Sequence, residues 1–153
     1  MVFETVRARG HPNVTATHRS TFELTGDADI GPAADCIIAV RADRSAATLS
    51  DRFRAAAARD DARVTAIIRC GGCSDTVIGR GSARMTFADD RSMVFRVSDF
   101  VCGRTVMVDA DRAARGLDRR LVAALTAGLD VEVELRVDRA ARPAPSFDVL
   151  FEG

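Results

Sequence analysis

The chain of 153 residues contains no lysine, no tyrosine and no tryptophan. Its 22 basic residues are all arginine, and eight phenylalanines supply all of its aromatic character. Arginine matches phosphate and carboxylate with a planar fork. The accompanying wealth of alanine has no such role, so the bias reads more simply as genomic composition. Formal net charge is zero, and no global field marks nucleic acid or a membrane surface as partner. No apolar run approaches the roughly 18 residues that a membrane-spanning helix needs, and Met1-Val2-Phe3-Glu4-Thr5-Val6-Arg7 holds no secretory apolar core. A cytoplasmic protein without a membrane partner is expected, with four cysteines as reduced thiols. Also missing are a glycine-rich phosphate loop, a nucleophile elbow and an aromatic RNA platform. No cofactor is specified.

What is present is a repeat. From Asp43, the positions Ala46, Leu49, Phe53 and Ala56 form one helical stripe, with Asp43 as the expected N-cap. From Asp111, the stripe Ala114, Leu117, Leu121 and Ala124 repeats it 68 residues later. Between 42–58 and 110–126, eight of 17 positions are identical. The flanks repeat in pattern. Apolar strands precede each helix (36–40 and 105–108), and strands follow each (64–68 and 131–135), the second in clear period-two alternation. Upstream, 21–25 matches 92–96. Gly10 matches Gly81 and Thr15 matches Thr86, 71 residues apart. Strands 63–69 and 75–79 meet across Cys70-Gly71-Gly72-Cys73, where Gly-Gly suits a tight two-residue turn.

The fold class that follows is α+β: two pseudo-symmetric strand-strand-helix-strand repeats, about 2–70 and about 74–138, forming a closed or partly open β-barrel with two helices. The alternative is an open two-layer α/β sandwich with both helices on one face. The duplicated domain covers 1–138. Residues 139–153 read as a linker and a short strand, 147–151.

Chemistry-bearing residues are few. His11 and His18 are seven residues apart with Pro12 between them. They form a metal pair, a general base or a phosphate contact, or else two loop histidines. Their counterparts in the second copy, Ser82 and Asp89, are polar but different, as in a duplicated scaffold with a single site. Cys70 and Cys73 have zinc-knuckle spacing, but one pair is half a structural zinc site, and a hairpin turn explains them. Asp35 and Asp99 each stand in a loop just before a buried strand, where turn chemistry also favours aspartate. Arg104 beside Thr105 is placed to receive an anion.

Taken together, Gly10-His11-Pro12-Asn13, Ala16-Thr17-His18, Asp35-Cys36-Ile37-Ile38, Asp99-Phe100-Val101-Cys102-Gly103-Arg104-Thr105 and the two Ala-Asp-Arg helix starts resemble an archaeal family, domain of unknown function 371, over roughly residues 4 to 137. The resemblance implies an archaeal, cytoplasmic protein and no particular activity. Its motif residues correspond here to His11, His18, Asp35, Asp99, Arg104 and Thr105. Ala34 stands where relatives usually have glycine, and Cys70 and Cys73 lie outside the motif.

The leading functional expectation is a binding module whose loop face takes a small anionic ligand or an RNA end, with His11, Thr17, His18, Asp35, Asp99, Arg104 and Thr105 as candidate contacts. The alternatives are an enzyme using His11 or His18 as base or metal ligand, and a structural subunit of a larger assembly.

Overall fold

The computed structural model describes residues 1–139. Eight strands form two four-stranded sheets. The first contains β1 (Val2–Arg9), β8 (Asp130–Arg139), β4 (Ala62–Cys70) and β5 (Cys73–Arg80), in that spatial order and antiparallel throughout. The second runs β3 (Ile37–Ala39), β2 (Thr21–Thr25), β6 (Ser92–Arg96), β7 (Thr105–Met107), with an antiparallel centre and parallel edges. The helices α1 (Asp51–Ala57) and α2 (Arg119–Thr126) follow β3 and β7, each preceded by one turn of 3₁₀ helix.

The first repeat thus holds one strand more than the sequence pattern suggested, β1, while β5 is the strand read at 75–79. β1 opens the first copy as β5 opens the second. Its alternation is broken on the inward side by Glu4, whose carboxylate accepts the Ser50 N–H (2.7 Å) at the start of α1.

The β-barrel does not close. The two sheets are open, nearer to the layered alternative than to a continuous ring. At each seam they touch through a single bridged residue pair, Arg9 with Val40 and Arg80 with Val108. The physical reason is local. β3 and β7 are three residues long, and directly after each bridge a positive-φ residue, Arg41 or Asp109, kinks the chain, so that a single further backbone bond reaches the edge, from the Asp43 N–H to the Arg7 carbonyl and from the Asp111 N–H to the Ile78 carbonyl (2.9 Å each). An aspartate side chain then takes the next edge donor: the Arg7 N–H goes to Asp43 Oδ1 (2.9 Å) and the Ile78 N–H to Asp111 Oδ1 (3.0 Å). This corrects the role expected of Asp43. It caps the edge of β1, while Ser50, whose hydroxyl accepts the Phe53 N–H, caps α1. The single expected helix is two pieces, broken at Leu49, whose φ and ψ of −58° and 150° are not helical.

The copies follow one path. Non-glycine residues with positive φ recur at matched sites: Ala16 (50°) with Phe87 (49°), and Arg41 (54°) with Asp109 (50°). The copies also clasp each other. The Gly10 loop of the first copy lies on α2, with the His11 N–H donating to the Leu125 carbonyl at 2.9 Å. The Gly81 loop of the second copy lies on α1, with the Ser82 N–H donating to Ala57 at 3.1 Å. A Cβ on Gly10 would stand 2.0 Å from the Leu125 oxygen, and one on Gly81 1.9 Å from the Ala57 oxygen. No side chain fits either approach. The Gly71-Gly72 turn has both φ positive (59° and 77°), the type I′ pattern of a two-residue hairpin. Arg139 ends β8; the remainder of the expected linker and the expected strand 147–151 lie outside the described residues.

The core lies between the sheets. Val64, Ala66, Ile68, Val133 and Leu135 of the first sheet are buried, as are Phe22, Leu24, Met93 and Phe95 of the second. Phe22 and Phe95 face each other across the β2/β6 ladder and stack with centroids 4.4 Å apart. Among the described residues no helix is long and apolar enough to cross a membrane.

Candidate functional site

Strand alternation decides what the outer face of the second sheet carries. With Phe22, Leu24, Met93 and Phe95 turned to the core, Glu23 of β2 and Val94 and Arg96 of β6 turn outward, together with Thr105, the partner of Val94 on β7. Two polar clusters form there.

The first is centred on Glu23, which is 9% exposed. Two residues from the two copies reach the same carboxylate oxygen: Cys36 Sγ lies 3.8 Å and Arg104 Nη1 3.7 Å from Glu23 Oε1. Burial pushes the Glu23 carboxyl up, against the opposing pull of Arg104. The Cys36 thiol is pushed up as well, by its own burial and then by the Glu23 carboxylate.

The second cluster is built around Arg96. Its Nε donates to Thr105 Oγ1 (2.9 Å), its Nη2 lies 3.2 Å from Cys102 Sγ, and its guanidinium sits 5.0 Å from the Phe100 ring centroid. Thr105 is fully buried, and its hydroxyl also accepts the Cys102 N–H (3.0 Å). Burial alone would raise the Cys102 thiol. The Arg104 backbone N–H, the Thr105 hydroxyl and the Arg96 guanidinium outweigh it and bring the group down to about 7.

The residues singled out in the sequence divide between these clusters and the turns. Arg104 and Thr105 belong to the two clusters. His11 Nδ1 accepts the Asn13 N–H (3.0 Å) and its Nε2 meets Asp29 Oδ1 at 2.5 Å. His18 Nδ1 accepts from the N–H groups of Ser20 (3.2 Å) and Thr21 (3.1 Å). The counterparts do the same work. Ser82 Oγ accepts the Arg84 N–H, and Asp89 Oδ2 accepts the N–H groups of Arg91 and Ser92. Asp35 offers its backbone carbonyl to the N–H groups of Thr17 and His18, as Gly103 does to Ala88 and Asp89. Thr17 is exposed. Asp99 contributes its carbonyl to Arg84 (3.0 Å). Among the described residues, His11, His18 and Arg104 share no hydrogen-bonding partner with one another.

Glu23, Arg96, Cys36 and Cys102 were not singled out as contacts by sequence reasoning. A faint signal existed: Glu23 and Arg96 interrupt the apolar pattern of β2 and β6, the strands with matched patterns, and each has an uncharged counterpart, Val94 and Thr25. Among the described residues, no three His, Cys, Asp or Glu side chains gather closely enough to hold a metal ion. Two surface clefts, of about 360 Å³ (Met1, Ala55, Arg59, Val137, Arg139) and about 160 Å³ (Gly26, Arg44, Thr48, Arg91), include none of the proposed contacts.

Two comparisons bear on this arrangement. The family described as Domain of unknown function (DUF371) matches residues 6–138. An uncharacterized protein of Methanocaldococcus jannaschii is 33% identical over 126 residues, which cover 82% of this chain and 93% of that protein.

Proposed function

The chain belongs to the DUF371 family, and we propose that it is a binding module that takes the anionic group of a small molecule, or of an RNA end, on the outer face of the second sheet. One observation carries the reading. Arg96 is partly buried and held by a hydroxyl and an aromatic ring, yet among the described residues it meets no carboxylate. Its one anionic neighbour among the described residues is the Cys102 thiol, which titrates at about 7 and so neutralises it only in part; an arriving anion completes that neutralisation. The guanidinium is already oriented, so little ordering opposes binding.

Other groups fit around it. Arg104 is a second guanidinium on the same face, engaged with Glu23 at 3.7 Å without a close hydrogen bond. His18 joins through Thr21, the ladder partner of Arg96. With its Nδ1 taken as acceptor, its Nε2 carries the proton and is a donor for an anion. The histidine-based enzyme reading draws less support, since the Nδ1 lone pairs of both His11 and His18 are occupied by backbone N–H groups.

Titration calorimetry with inorganic phosphate, a nucleotide, a phosphosugar and a short RNA tests the proposal. Binding of at least one, abolished in Arg96→Ala, is expected. Heat that Arg96→Ala leaves unchanged, or no heat with any of the four, overturns it. The arm that responds most strongly separates a small ligand from RNA.

A further inference from the structure

The hairpin that joins the two copies carries two of the four cysteines, all of them free thiols. Cys70 ends β4 and Cys73 begins β5, as direct register partners across the Gly71-Gly72 turn. Directly opposed residues of a ladder project from the same face. Here it is the inner face: Cys70 continues the buried row of Val64, Ala66 and Ile68, and Cys73 stands in line with buried Val77. Cys70 is 3% exposed, whereas Cys73 is only partly covered.

The register sets the separation of the pair. The Ile78 and Arg80 N–H groups point away from β4, to Asp111 and Val108. The odd-numbered residues of β5 therefore exchange backbone hydrogen bonds with β4, and Cys73 does so with Cys70. In such a pair the Cα atoms stand about 5.5 Å apart, within the roughly 4.4–6.8 Å that a disulfide spans. Closing the bond takes side-chain rotation and a slight tightening of the turn, and that strain keeps the bond reducible. Little opposes the rotation, since the Cys70 thiol has only a weak partner, the Leu129 carbonyl at 3.9 Å.

We infer that Cys70 and Cys73 are a dithiol that closes reversibly to a disulfide by exchange with a small disulfide such as oxidised glutathione. Cys73, the more exposed, is the point of entry. Its thiolate attacks one glutathione sulfur, the glutathione S–S bond breaks, and one glutathione thiolate leaves. The Cys70 thiolate then attacks the Cys73 sulfur of the mixed disulfide and expels the second glutathione thiolate. The two cysteines lose two electrons and two protons, and oxidised glutathione is reduced to two thiols. Cys36 and Cys102 contact Glu23 and Arg96 rather than another cysteine, so exchange there stops at a glutathione adduct.

The test incubates folded protein with oxidised glutathione, quenches in acid, alkylates in urea and maps the tryptic peptide 70–80 by mass spectrometry. That peptide is expected two hydrogens lighter with neither thiol alkylated, and dithiothreitol should restore both thiols. Cys70→Ser should instead retain glutathione on Cys73, because the resolving thiol is gone. A lasting glutathione adduct on wild-type Cys73 beside a free Cys70, or two thiols still fully alkylated, overturns the inference. The glutathione redox ratio that closes half of the protein separates the folded hairpin from sequence proximity alone. It should be about tenfold less oxidising for folded protein than for protein in urea, because the turn has already brought the thiols together. Equal ratios would overturn the hairpin's part in the exchange.

Discussion

Arg104 of the second copy reaches across β6 to lie over Glu23 of the first, with Nη1 3.7 Å from Oε1. The pair joins the two copies, but burial of the carboxyl outweighs the pull of Arg104 and the Ser92 hydroxyl. The carboxyl is held above its ordinary 4.5. A group raised in this way favours folding while protonated, and that contribution is lost as pH rises through the folded value. Glu23→Gln, uncharged and of the same shape, should therefore be at least as stable as wild type at neutral pH. The difference should shrink as pH falls below about 4.5. Denaturant midpoints measured across that range check it; a variant clearly weaker at neutral pH would mean that the ion pair outweighs the burial.

His18 and Asp89 occupy matched positions and accept from matched N–H groups. The imidazole is thus acting as a turn cap. His18→Asp is expected to preserve stability, and His18→Ala to lose about 0.5–2 kcal/mol, the usual effect of deleting a side-chain cap. Equal losses in the two variants, in urea unfolding, would refute the capping role.

Gly10 and Gly81 are required by contact with backbone rather than with movable side chains. Alanine at either site must push the loop off the opposite copy's helix. A loss of about 1–3 kcal/mol is expected for each, in line with overpacking. Because each loop lies on a different helix, amide exchange should speed up mainly in α2 for Gly10→Ala and in α1 for Gly81→Ala. Uniform loosening of both helices would contradict the reciprocal clasp.

Cys102 should be the thiol that responds near neutral pH. Its alkylation rate, followed by peptide mass spectrometry, is expected to rise with a midpoint of about 7. Cys36 and Cys70, both pushed up by burial, should lag behind. Arg96→Ala should move the Cys102 midpoint upward, because it removes a cation from beside the thiolate. A Cys102 midpoint at the ordinary 9.0 would show that the surrounding donors do not act on it.

The duplication was legible because it lives in local patterns. Strand alternation, apolar helical spacing and the Gly-Gly turn are properties of short stretches, and the structure repeats them copy for copy. β2 and β6 have the bounds read from the sequence, since each is a short apolar stretch between turn residues. β1 was harder to read because Glu4, on its inward side, serves α1 and breaks the alternation. Asp43 looked like a helix cap because sequence neighbours suggest local partners. Its actual partner, the Arg7 N–H, lies 36 residues away in the chain.

Among the candidate contacts, the sequence alone determined which polar residues sit in loops before strands: His11, His18, Asp35, Asp99 and Arg104. It could not decide which of them meet. Turn capping absorbed both histidines, because Nδ1 lone pairs and backbone donors were brought together by the loop path. Closure of a barrel was likewise a tertiary matter: three-residue edge strands and two aspartate carboxylates end the pairing after a single bridge on each side. The tertiary structure also decided the site. It brought Glu23 and Arg104, 81 positions apart in the chain, onto one sheet face, and it set Arg96 against Thr105, Cys102 and Phe100, with no carboxylate among the described residues. Burial and charge pairing are set by neighbours in space, and a linear pattern carries neither.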